Sequence, residues 1–155
     1  MEFAIREDIE GTLDQTFAQM SDFESIERQV LRRGIDVRRT DTLGAPAAGA
    51  SWEAGFTFRG KKRRAEITLT RYEPPSLMVF ESRLDGLEVL TQMEFVALSR
   101  SRTRVAIDIV LQPRTLSARI MVQSLKLARG TIEKKLHARS TGLARELEAR
   151  IRRSA

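Results

Sequence analysis

The segment TLSARIMVQSLKLARGTIEKKLHARSTGLARELEARIRR, residues 115–153, places Met121, Leu125, Ala128, Ile132, Leu136, Leu143, Leu147 and Ile151 at steps of three, four and seven. Such steps keep the apolar side chains on one helical face, so the segment reads as a helix lying along something apolar. As a straight rod it would be close to 60 Å long at about 1.5 Å per residue, whereas a chain of this size has an expected radius of gyration of about 15 Å. It must therefore bend, break or overhang. Gly130 is the expected kink, because the stripe keeps its phase across it and a glycine inside a helix costs about 1 kcal/mol relative to alanine. Gly142 is a second weak point.

The partner of that helix is a run of strand-like segments between Ile35 and Leu111. Trp52, Ala54, Phe56 and Phe58 alternate with Glu53, Gly55, Thr57 and Arg59, the clearest period of two in the chain. Ala65, Ile67 and Leu69 then alternate with Glu66, Thr68 and Thr70, and Pro74-Pro75 ends the strand because proline cannot donate to a ladder. Leu77 to Ser82 is the next strand. Val89, Met93, Phe95 and Ala97 line one side of the sixth, and Val105, Ile107, Ile109 and Leu111 one side of the seventh. Asp85-Gly86 and residues 99–102 are short enough for antiparallel hairpins, and the basic run from Arg59 to Arg64 reads as a charged hairpin tip. Alternation on one face gives a sheet with one wet side and one covered side. The terminal helix is the cover.

Upstream, Phe3 to Glu7 reads as the first strand. Thr12 to Asp22 reads as a helix capped by Thr12, and Asp22 to Arg33 as a second, capped by Ser21 or Asp22 and stopped by Gly34. Ile35 to Asp41 is the second strand, and Thr42 to Ala50, rich in Gly, Ala and Pro, is a loop. The expected class is α+β: a curved seven-stranded antiparallel sheet around a long C-terminal helix, two short helices between strands 1 and 2, and one domain over residues 1–155.

The 155 residues contain no cysteine, which excludes disulfides and thiolate metal sites and agrees with a reducing compartment. No apolar run reaches the roughly 18 residues of a membrane span, and the N-terminus is too acidic for a signal peptide, so a cytoplasmic protein is expected. Charge is uneven: residues 112–155 hold 11 of the 27 basic and 3 of the 21 acidic residues, leaving the remainder at −2. A solvated outer face is the simplest reading. Contact of the basic helix with RNA, a ribosome or an anionic membrane is the alternative, although no aromatics accompany the cations to favour nucleic acid.

Phe17-Ala18-Gln19-Met20-Ser21-Asp22-Phe23 resembles a stretch common at the first helix junction of the START-like (SRPBCC) superfamily, particularly its bacterial polyketide cyclase/dehydrase and lipid transport family. Arg71-Tyr72-Glu73-Pro74-Pro75 resembles that family's tyrosine and proline corner, and the element order matches over nearly the whole chain. The resemblance implies a helix-grip fold with a hydrophobic cavity between sheet and helix that takes lipids, polyketides, sterols, quinones or hormones in various members. No subfamily signature carries catalytic residues over to this chain.

Catalysis at neutral pH needs a group able to move protons or attack, placed by a second group. The chain has one His and one Tyr. His137 sits about 100° round the helix from Leu136, at the border of the stripe, and is expected to be dispensable. Tyr72 reads as a packing residue. No HExxH, P-loop or GxGxxG motif is present, so neither a metal, a cofactor nor a catalytic residue is assigned. Thr91, in phase with Val89, Met93 and Phe95, and Arg71, in phase with Ile67 and Leu69, are the polar residues whose parity points inward. The simpler readings are a β-branched strand residue for Thr91 and an arginine reaching solvent from a strand end for Arg71.

The expected cavity lining is Trp52, Phe56, Phe58, Ile67, Leu69, Val89, Thr91, Met93, Phe95, Val105, Ile107 and Ile109 from the sheet, facing Leu125, Ala128, Ile132 and Leu136 from the helix. Binding of a hydrophobic, lipid-like or polyketide-like molecule without turnover is the leading expectation. A cyclase/dehydrase-type enzyme and a basic-helix interaction module are the alternatives. Oligomeric state is not legible.

Overall fold

The computed structural model describes residues 1–154. Its elements are β1 (Glu2–Glu10), α1 (Leu13–Met20), α2 (Phe23–Arg32), β2 (Asp36–Arg39), β3 (Ser51–Phe58), β4 (Lys61–Glu73), β5 (Leu77–Leu84), β6 (Leu87–Ser99), β7 (Arg102–Pro113), α3 (Leu116–Leu127) and α4 (Arg129–Ser154). The strands form one antiparallel sheet in the order β1-β7-β6-β5-β4-β3-β2. All neighbours from β2 to β7 are sequential. Only β1 crosses over, to pair with β7, and α1 and α2 occupy the connection that this crossing opens.

Local chemistry explains where the first helices start. Thr12 and Gln15 form a reciprocal capping box: the Gln15 N–H donates to Thr12 Oγ1 at 3.1 Å and the Thr12 N–H to Gln15 Oε1 at 3.0 Å. Asp22 caps α2, accepting from the Ser25 N–H. Gly34, at φ +84°, provides the left-handed residue that releases the chain from α2 into β2.

The register brings the alternating apolar residues to one face. Trp52 lies opposite Ile67, Leu69 opposite Phe80, Met78 opposite Met93 and Met93 opposite Ile107, Thr91 opposite Ile109, and Phe95 opposite Val105. Parity inverts in β4 after Leu69. A register shift between Leu69 and Arg71 turns Arg71 to the outer face, where it pairs with Glu73 at 2.6 Å, and brings Tyr72 inward onto Phe17, ring centroids 5.6 Å apart. The inward phase expected for Arg71 is therefore corrected, because an extra residue in one strand of a pair inverts the alternation beyond it.

The terminal helix breaks rather than kinks, and it breaks before the expected glycine. Ala128 caps α3 with non-helical torsions (φ −98°, ψ 13°), its N–H bonding back to Leu125 O at 3.1 Å, and α4 restarts at Arg129. An anchor explains the position. Arg129 Nη2 donates to the Glu2 carbonyl at 2.7 Å, its Nε donates to Glu133 Oε1 at 2.8 Å, and its guanidinium lies 5.4 Å from the Phe3 ring centre. Gly130 and Gly142 are helical positions around which a Cβ would meet nothing within 4 Å.

The stripe is consequently not one face of one rod. Ala118 and Val122 are buried in α3 and Ala144, Leu147 and Ile151 in α4, whereas Leu143 is 41% exposed. The larger core cluster joins Ile9, Phe17, Phe23, Trp52, Leu69, Met78, Phe95 and Val105 to the end of α4. The smaller joins Leu87 to Ala118 and Val122 at the opposite end of the sheet. Among the described residues no helix is long and apolar enough to cross a membrane.

Candidate functional site

Four of the apolar residues expected to face the interior belong to neither cluster. Ile109, Leu125, Ile132 and Leu136 are half-buried and outside both, and Thr91, across the ladder from Ile109 and Phe80, is half-buried beside them. Two of them, Ile109 and Leu136, line a groove of about 580 Å³ where the first turns of α4 pass over the edge strand β1. Phe3, Ile5 and Ile109 form its floor, Leu136 hangs over it, and Arg129, Glu133, His137 and Ser140 form its helical rim. On the sheet side Arg6 closes the rim: its Nη2 donates to both Asp108 carboxylate oxygens at 3.1 and 3.3 Å, and its Nη1 to the Ile5 carbonyl at 2.9 Å. The lining is therefore mixed: an apolar floor bordered by the polar and charged side chains of Glu2, Arg6, Asp108, Arg129, Glu133, His137 and Ser140.

The expected lining residues divide into groups. Ile109 and Leu136 line the groove. Leu125 and Ile132 are half-buried in α3 and α4 but outside that lining, and Ala128 stands at the helix break. Ile67, Met93 and Ile107 pack half-buried against the larger cluster, and Val89 against the smaller. Trp52, Leu69, Phe95 and Val105 are buried within the larger cluster, so the structure places them in packed core. Phe56 and Phe58 keep the expected parity but sit towards the β3–β4 tip, opposite Arg63 and Lys61. Phe58 is exposed, with the Arg59 and Arg63 guanidinium groups 5.3 and 5.6 Å from its ring centre, and belongs to that corner.

Two residues are more informative than their sequence context suggested. His137 is exposed on the groove rim, its carbonyl accepting from Ser140 Oγ and Thr141 Oγ1, each at 3.0 Å. Glu7 points to the concave side, opposite Val105, and its Oε1 accepts from Ser140 Oγ at 2.8 Å and Thr141 Oγ1 at 3.3 Å. The signal for Glu7 was available: Phe3, Ile5, Glu7 and Ile9 share one parity, and Glu7 is the polar member of that set. Among the described residues no cluster of three or more potential ligands could hold a metal ion.

A second polar cluster braces the packed end. Trp52 Nε1 donates to Glu27 Oε1 at 2.6 Å, Arg39 Nη1 donates to the same oxygen at 3.4 Å, and the Arg39 guanidinium lies 5.0 Å from the Trp52 ring centre. Arg39 also pairs with Asp41, which accepts from the Leu43 N–H at 2.9 Å and the Ser51 N–H at 2.7 Å. Burial opposes the charged carboxylate of Asp41, but these hydrogen bonds outweigh it and hold its pKa down at about 2. Their effect is to tie α2 and the 42–49 loop to the sheet.

Comparison with protein-family models and with curated protein sequences found no match. Solved structures do match. A protein from Thermus thermophilus superposes with a TM-score of 0.66 at 15% identity, covering 100% of this chain and 99% of that one. A START superfamily protein from Mycobacterium smegmatis gives 0.65 at 14% identity, covering 99% of each chain. The Zhui aromatase/cyclase from Streptomyces sp. R1128 gives 0.65 at 10% identity, covering 97% of this chain and 95% of that one. Identities this low speak for the backbone arrangement and not for the chemistry. With the antiparallel sheet, the paired helices after β1 and the long terminal helix, they establish that this chain has the START-like helix-grip fold.

Proposed function

We propose that the chain binds a hydrophobic, lipid-like or polyketide-like small molecule between the sheet and the terminal helix, in the groove lined by Ile109 and Leu136 and extending towards Leu125 and Ile132. The observation that carries the reading is the half-burial of these side chains outside both packed clusters: an apolar occupant would complete their removal from water, at roughly 25 cal/mol per Å² covered. The START superfamily protein and the aromatase/cyclase among the structural neighbours support the same reading through the shared fold. Titration with a fluorescent apolar probe tests it. Saturable binding is expected, and Ile109→Trp or Leu136→Trp should fill the space and abolish it while leaving the melting temperature within a few degrees. Absence of saturable binding, or binding indifferent to both substitutions, would overturn it.

Glu7 favours one second reading, an enzyme of the cyclase/dehydrase type. A carboxylate beside the Ile5 floor of the groove is a group able to take a proton. Glu7→Gln keeps acceptor geometry but removes that capacity. In a binding protein this substitution leaves probe affinity and ligand recovery unchanged, whereas in an enzyme it abolishes turnover while binding persists.

A further inference from the structure

Helix α3 is apolar on two sides. Ala118 and Val122 face inward and are buried, while Leu116, Ile120 and Leu127 are 73%, 63% and 93% exposed. Steps of four and seven set these three within about 40° of one another on the helix, an outward ridge that also carries the exposed Gln123 between Ile120 and Leu127. Ridges of this kind on a protein surface mark interaction sites.

The charges beside the ridge select the partner. From Arg114 to Arg129 the chain has four cations, Arg114, Arg119, Lys126 and Arg129, and no acidic residue. Arg114 is engaged with Glu88 and Arg129 with Glu133, leaving Arg119 and Lys126 without a carboxylate partner among the described residues. Both lie about 60 to 80° from Leu116 on one flank of the ridge. The helix itself is held firmly: Arg114 N–H donates to the Gly86 carbonyl at 2.8 Å, and Thr115 caps α3 by accepting from the Ala118 N–H at 3.1 Å.

We propose that α3 is a docking surface for an anionic lipid bilayer. Leu116, Ile120 and Leu127 enter the boundary between headgroups and acyl chains, and Arg119 and Lys126 meet lipid phosphates, the arrangement of an interfacial amphipathic helix. A second copy of this chain suits the ridge less well, because an antiparallel two-fold contact would set the cationic flanks of both copies along the same edge. A nucleic acid suits it less well again, since the ridge is aliphatic and α3 has no aromatic residue on which a base could stack. The proposal does not depend on what occupies the groove.

Vesicle co-sedimentation of the full chain tests it, with mixed phosphatidylglycerol and phosphatidylcholine vesicles against phosphatidylcholine alone. The unaltered chain should bind the mixed vesicles, more weakly as salt rises, and bind the neutral ones far less. Ile120→Ser with Leu127→Ser should lower the partition at least about tenfold, and Arg119→Glu with Lys126→Glu at least as much. Circular dichroism and melting temperature should not change. Leu127→Ser alone, at an almost fully exposed position, keeps the test readable if the double variant is unstable. Failure to bind anionic vesicles at physiological ionic strength would overturn the proposal, as would binding that survives both pairs of substitutions. So would a dimer in analytical ultracentrifugation that Leu127→Ser dissolves, which would give the ridge to a second copy.

Discussion

The two ends of α4 share one helix and one apolar stripe, yet they live in different surroundings. At the C-terminal end Ala144, Leu147 and Ile151 are buried in the core cluster with Phe17 and Phe23, and Ile151 comes so close to Gly11 that a Cβ there would stand 2.8 Å from its Cδ1. Polar ties reinforce the packing: the Glu10 N–H donates to Glu148 at 2.8 Å, and Arg150 donates to Gln29 at 3.1 Å. At the N-terminal end Ile132 and Leu136 are only half-covered over β1, and the rim above the groove is charged. The α1–α2 pair inserted after β1 closes the sheet at one end only. Beyond its reach the helix has one wall beneath it rather than two. The contrast shows how a helix-grip architecture can set a closed core and a half-covered stretch on successive turns of the same helix.

Leu147→Ala should produce the largest loss of the paired substitutions, about 3 kcal/mol, since it opens a void in a closed cluster. Leu136→Ala should cost less than about 1 kcal/mol, because that side chain is already partly in water. Equal losses in urea denaturation would erase the distinction between the two ends.

Glycine substitutions sharpen the same contrast with opposite signs. Gly11→Ala must displace Ile151 and should destabilise by about 1 to 3 kcal/mol. Gly142→Ala adds a methyl where nothing lies within 4 Å, and should stabilise by about 0.5 to 1 kcal/mol through helix propensity. Thermal melts of the two variants moving in the same direction would break the comparison.

Acid should loosen the packed end specifically. Asp41 has its pKa lowered from 3.8 to about 2 in the folded chain, so its contribution is complete above the unfolded value and is lost as pH falls through the interval between the two. Asp41→Asn should therefore remove about 1 to 3 kcal/mol at neutral pH and flatten the dependence of stability on pH across that interval. A variant as acid-labile as the parent would show that the Asp41 network does not brace the fold. The effect on groove occupancy, read with the apolar probe, should be the smallest of all.

Much of this arrangement was legible from residues 1–155 because it rests on local chemistry. Period-two alternation marked the strands, Thr12, Asp22 and Gly34 bounded the first helices through hydrogen bonds and backbone freedom, and Asp85-Gly86 formed its hairpin at φ values of +47° and +76°. Parity also brought Ile109 to the concave face and would have exposed Glu7 as its odd member. Non-local contacts decided the rest. The bulge after Leu69 reversed Arg71 and Tyr72, and the Arg129 anchor on Glu2 and Phe3 accompanies a helix break at Ala128 instead of at a glycine. Which apolar residues became closed core and which were left half-covered followed from where α1 and α2 lie across the sheet. A periodic stripe specifies the direction in which side chains point; whether a second wall stands opposite them depends on elements more than 100 residues away in sequence.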